Sequence, residues 1–216
     1  MTSLKQNQME LLLPKGYLSW SALHLFETSE KKYIEKYFYG EDDNRSNDFM
    51  SFGKRYAEAK ETGDCKGDPM LEFAMNAVPS YQFPEYKLEA ELSTPYGKIK
   101  LLAIPDSFSE IDIQILEYKT GKIPWTQSKV QKHGQLHFYA VSTKAKFSVN
   151  PSQQLWWIET TDKDENGNKI PVRPTGITQV FKFKASDQEL KEMEQRIIRA
   201  CLRIDKLYRQ HLSLQK

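Results

Sequence analysis

A chain of 216 residues with 39% hydrophobic and 28% charged residues is long enough to bury one sizeable core. The net charge of +2 and pI near 8.3 exclude a strong global field for polyanions, so any nucleic-acid surface must be a local patch. Two cysteines, Cys65 and Cys201, are too few for a disulfide framework or a four-thiolate cluster, so both are expected as free thiols. No run reaches the apolar length of a membrane span, and Met1 to Gln6 lacks the regions of a signal peptide, so no membrane and a reducing cytoplasm are expected.

Taken in chain order, Ala22, Leu23, Phe26, Tyr33, Ile34 and Tyr37 recur at helical spacing behind Ser19 and Ser21, either of which can cap the helix. Aromatic rows of this kind usually face a core. The polar stretch Gly40 to Asn47, with Glu41, Asp42 and Asp43, separates this segment from a second helix over Asp48 to Thr62. A strand is expected over Tyr86 to Leu92, placing Glu89 and Glu91 on one face, and another over Lys98 to Pro105. Ser107 to Glu110 then reads as a hairpin connection into a strand over Ile111 to Tyr118, which is rich in β-branched residues and ends before Gly121.

A helix carrying Gln135 and Tyr139 on one face follows. Gln154 to Thr161 is a bulky strand whose Trp156 and Trp157 send one ring to each face. Asn166-Gly167-Asn168 turns into the alternating strand Lys169 to Lys184, giving a hairpin. Ser186 to Glu189 is a capping box, and Leu190, Met193, Ile197, Cys201, Ile204 and Tyr208 mark a long amphipathic helix. The four histidines lack zinc spacing: Gly134, not glutamate, follows His133 in the His133/His137 pair. No repeat or phosphate-cradling glycine loop is present, so any motor would be a partner.

The chemistry concentrates at Pro105-Asp106 and Glu117-Tyr118-Lys119. Period-two alternation puts Glu117 and Lys119 on one strand face, and pairing with the preceding strand brings Asp106 beside Glu117. Two carboxylates and a main-chain carbonyl suit a hard divalent cation while leaving room for a phosphate, and a neighbouring ammonium offsets charge growing on that phosphate. Gln135 and Tyr139 can point together at the same sheet edge.

With Thr120-Gly121 and Gln135-x-x-x-Tyr139 in order behind them, these residues resemble the PD-(D/E)XK nuclease superfamily, in its RecB-like and phage exonuclease-like branch, over about residues 18–158. The resemblance implies an α/β restriction-endonuclease-like core: a mixed sheet flanked by helices in the order helix, three strands, helix, strand, with a hairpin extension and C-terminal helix. It also implies a single nuclease domain over 1–216, with its core about 18–161 and the hairpin and helix in 162–216.

By resemblance, Asp106, Glu117 and the Tyr118 carbonyl hold Mg²⁺ or Mn²⁺, Lys119 assists hydrolysis, and Gln135 and Tyr139 contact substrate. Ser29 stands where the family often has a cysteine, and the four cysteines of cluster-bearing relatives are missing, so no iron-sulfur cluster is expected. The segment around Gly53 resembles the family's G-x-x-x-H helix, but Ala57 replaces the histidine ligand. Glu61, one turn on, is the candidate further ligand, ahead of Glu89 and Glu91; Lys54, Arg55 and Lys122 are candidate phosphate contacts.

The implied activity is metal-dependent hydrolysis of DNA in recombination, repair or phage DNA processing, in a bacterial or phage-infected cell. A recombinase or single-strand-binding protein is a candidate partner. Alternatives are a catalytically degenerate DNA-binding or protein-interaction member of the same fold and an endonuclease of restriction or junction-resolving type.

Overall fold

The computed structural model describes residues 11–41 and 48–215. The start Met1 to Gln6, Asp42 and Asp43, and most of the 40–47 stretch therefore lie outside the described residues.

A two-residue strand β1 (Leu18–Ser19) leads into α1 (Trp20–Thr28), whose Ser19 hydroxyl accepts the Ala22 N–H. The single helical run expected through Tyr37 is broken at Ser29. That residue is extended (φ −159°, ψ 94°), and its hydroxyl accepts the Lys32 N–H to cap a new helix, α2 (Glu30–Phe38). Helix α3 (Asp48–Thr62) keeps the expected bounds. Sequence reasoning missed α4 (Pro69–Ala77), although Asp68 at its N-cap and Pro69 at its first position are a standard start signal.

Strands β2 (Phe83–Pro84), β3 (Leu88–Thr94), β4 (Gly97–Ala103), β5 (Ser107–Ser109) and β6 (Gln114–Gly121) follow. Next come α5 (Gln127–Gln131), α6 (Gly134–Phe147), β7 (Ser152–Lys163), β8 (Lys169–Phe183) and α7 (Asp187–Leu214). The expected capping box closes α7 through Ser186 and Glu189.

Two pairings differ from expectation. Ser107 to Ser109 is a strand rather than a connection, and it is β5, not the Lys98 to Pro105 stretch, that lies antiparallel to β6. Strand β4 instead pairs with β3 and, in parallel, with β1. The turn before β6 also extends through Ile113, so that strand starts at Gln114. The chain is thus mixed α/β with sheets ordered β1-β4-β3 and β2-β5-β6-β7-β8. Asp106 sits in the link where the chain leaves one sheet for the other.

Burial on both faces of β6 and β7 explains their apolar sequences. Ile115, Leu155 and Trp157 join a core beneath α1, α6 and α7, whereas Leu116, Tyr118, Ile158 and part of Trp156 face α3 and α4. The odd-numbered residues of β6 consequently look toward α6. Glu117 and Lys119 belong to that set.

Candidate active site

Parity on β6 turns Glu117 and Lys119 to one side, and the Glu117 carboxylate is buried at 2% side-chain exposure against 28% for Lys119. The Lys119 ammonium donates to Glu117 Oε1 at 2.5 Å and to Gln135 Oε1 at 3.1 Å. Gln135 in turn donates to the Tyr139 hydroxyl at 2.7 Å, and that hydroxyl donates to the Ile104 carbonyl at 2.8 Å. The i, i+4 spacing on α6 thus builds a relay that fixes the lysine head. Tyr139, read from sequence as substrate-facing, is buried with its hydroxyl committed on both sides, so it reaches the site through Gln135.

Asp106 is fixed by the same strand. Its Oδ2 accepts the Tyr118 main-chain N–H at 2.5 Å, while the Tyr118 ring turns to the opposite face and its hydroxyl donates to the Pro79 carbonyl. Burial, then the neighbouring Glu117 charge, pushes the Asp106 carboxyl well above the usual range, although Lys119 and the Tyr118 N–H oppose this. Burial alone would lower the Lys119 ammonium, but Glu117 and Asp106 outweigh it and hold the group above its ordinary value.

A third carboxylate approaches, and sequence reasoning missed it. Glu85 follows β2 with a left-handed backbone (φ 47°), and its N–H donates to the Asp106 carbonyl at 3.1 Å. Burial raises its pKa, and the charges of Glu61 and Glu117 raise it further. Glu61 itself is exposed on α3, and its charge acts on Glu85. Glu89 and Glu91 point outward from β3, where Glu91 pairs with Lys98. The carboxylates whose charges act on Asp106 are Glu117 and Glu85.

The remaining candidates are placed around α3. The absence of a side chain at Gly53 lets α3 lie against Thr120; an added Cβ would meet its hydroxyl at 3.3 Å. Lys54 is exposed, Arg55 is held by Asp68 at 2.9 Å, and Lys122 pairs with Asp162 while lying over the Phe49 ring.

The residues fit a hard divalent cation. Glu117 Oε2 is buried with no hydrogen-bond partner, and it faces a second carboxylate whose charged form is disfavoured in the absence of a cation. Among the described residues no three His, Cys, Asp or Glu side chains form a ready metal cage, so a cation here would rely also on a main-chain carbonyl and water.

Comparison with protein families matches residues 70–212 to the PD-(D/E)XK nuclease superfamily. Among solved structures, a presumptive exonuclease from Eubacterium rectale superposes with a TM-score of 0.54 at 13% identity, covering 95% of this chain and 87% of that one. A phage-related exonuclease from Haemophilus somnus 129PT gives 0.53 at 11% identity, with coverage of 85% and 82%. No curated protein sequence matches the chain. Among the described residues no helix is long and apolar enough to cross a membrane.

Proposed function

Because this chain belongs to the PD-(D/E)XK nuclease superfamily, we propose that it hydrolyses DNA phosphodiester bonds with Mg²⁺ or Mn²⁺, as a single exonuclease-like domain. The observation that carries this reading is the buried Glu117 with an unsatisfied oxygen, set beside Asp106 and the restrained Lys119 ammonium.

Asp106, Glu117 and the Tyr118 carbonyl would hold the cation. When bound, it supplies Lewis-acid polarisation of the phosphate and lowers the pKa of water. Lys119 positions the attacking water and offsets charge on the phosphate as oxygen bonds to phosphorus and the ester oxygen leaves. Gln135 keeps the ammonium aimed by accepting a second of its hydrogen bonds, and Tyr139 holds Gln135 in place. Glu85, whose charge acts on Asp106, would take a water proton or orient that water, and the strained backbone there supports a functional position.

The test is digestion of labelled DNA in Mn²⁺ by Asp106→Ala and Lys119→Ala proteins that retain the parent's circular dichroism. Loss of at least about 100-fold in each is expected from removal of transition-state stabilisation. Cutting at the parental rate by both would show the site assignment to be wrong. End-labelled single- and double-stranded substrates in the same assay separate exonuclease from endonuclease action.

A further inference from the structure

We propose that the outward face of the β1-β4-β3 sheet is a second nucleic-acid contact, a groove that grips a single-stranded segment a few nucleotides from the scissile bond. The inference rests on the nuclease reading above. A groove of ≈ 580 Å³ is lined by Lys15 and Tyr17 ahead of β1, Glu89 and Glu91 on β3, Lys100 on β4, and Lys146 at the end of α6. Leu102 supplies the apolar side chain between them, whereas Ala90 and Leu101 border the groove with their side chains turned to the core.

The register explains the groove's chemistry. Glu89 faces Leu102 and Glu91 faces Lys100 across the β3-β4 ladder, and all of these lie on the face turned from the core. The Glu91 carboxylate is taken by Lys98, just outside the groove. Among the described residues Lys15, Lys100 and Lys146 make no ion pair, so cationic charge exceeds acidic charge here. Lys15 sits over the Tyr37 ring at 5.0 Å and Lys146 over Tyr86 at 5.7 Å, which holds two of the ammonium groups against rigid walls.

The wall carrying Lys15 is itself fixed: Leu12 N–H donates to the buried Asp205, and Gly16 N–H closes a turn on the Leu13 carbonyl. Ammonium groups around the Tyr17 ring and Leu102 match the needs of a single strand, with charge for phosphates and an aromatic surface for bases. Leu102 precedes Asp106 by four residues, so the groove begins within about 13 Å of the proposed site at the usual strand rise.

The experiment compares the parent with the Lys15→Ala/Lys100→Ala/Lys146→Ala protein in Mn²⁺ on two substrates, a labelled 20-nucleotide single strand and bis(p-nitrophenyl) phosphate, which is too small to reach the groove. The expected result is a KM for the oligonucleotide raised about tenfold or more, a log–log salt dependence of its binding shallower by about 2, and hydrolysis of the small ester unchanged. Glu89→Gln should move the oligonucleotide KM the other way. An oligonucleotide KM and salt dependence equal to the parent's overturn the proposal.

If the parent cleaves neither substrate, the nuclease reading fails on its own, and fluorescence anisotropy of the labelled strand in EDTA decides the groove. Tighter binding by the parent than by the triple variant supports it, and equal binding overturns it.

Discussion

At the scale of single residues, the site is assembled against its own electrostatics. The raised Asp106 carboxyl means that its folded-state pKa exceeds the unfolded value, so its contribution to stability is present at low pH and lost as pH rises through the folded pKa. At neutral pH without metal this carboxyl therefore costs the fold stability. Asp106→Asn, which keeps an acceptor for the Tyr118 N–H, should raise the melting temperature of the metal-free protein at pH 7 while abolishing its gain in stability on adding Mn²⁺. The parent should gain about 2.7 kcal/mol at Mn²⁺ a hundredfold above Kd. Differential scanning fluorimetry with and without Mn²⁺ reads both effects, and a lower metal-free melting temperature in the variant would contradict the argument.

Tyr139→Phe tests the relay in the same way. It leaves the Ile104 carbonyl and one Gln135 donor unpaired, so a loss of about 1–3 kcal/mol in urea unfolding is expected.

At the scale of elements, helices α3 and α4 act as a clasp for the chain that delivers Glu85. Lys60 is buried and donates to the Met75 and Val78 carbonyls at 2.9 and 2.5 Å and to the Ser80 hydroxyl at 3.3 Å, against the ring of Tyr118 at 5.4 Å. Burial pulls its pKa down to about 8, while the three acceptor oxygens favour the ammonium form. Asp68 starts α4 and also holds Arg55 of α3, so Asp68→Ala should destabilise the protein by about 1–2 kcal/mol in chemical denaturation, beyond the median for an exposed ion pair alone.

This region also marks where sequence reading stopped. Residues on regular elements were placed by period: two for Glu117 and Lys119 on β6, 3.6 for Gln135 and Tyr139 on α6. Glu85 lies between two strands in a left-handed conformation that neither period describes, whereas the helical period points to Glu61, which shares a helix face with Ala57. The pairing of β5 rather than β4 with β6 was hidden for a related reason. A three-residue strand, Ser-Phe-Ser, carries too little alternation to distinguish it from a turn.

At the scale of the whole molecule, the N-terminus of α6 is where the outer elements meet. Trp20 of α1 lies over Gly134 so closely that a Cβ there would sit 2.3 Å from its ring, and Trp125 meets the His133 ring edge-on at 4.9 Å. Burial, with the nearby Lys119 and Lys129 charges, lowers the His133 pKa from 6.5 to about 4. Above pH 6.5 both folded and unfolded states hold it neutral. As pH falls from 6.5 toward 4 the unfolded chain takes up the proton and the folded one does not, so stability falls across that window, by on the order of 2 kcal/mol. Asp106 pushes the opposite way over low pH, which makes the difference between variants more informative than the parent's curve alone. Urea unfolding at pH 7 and pH 4.5 should therefore show a smaller acid loss for His133→Gln than for the parent. Equal losses would mean that α6 opens to solvent before the histidine is charged, and that the joint between α1 and α6 is not what resists acid.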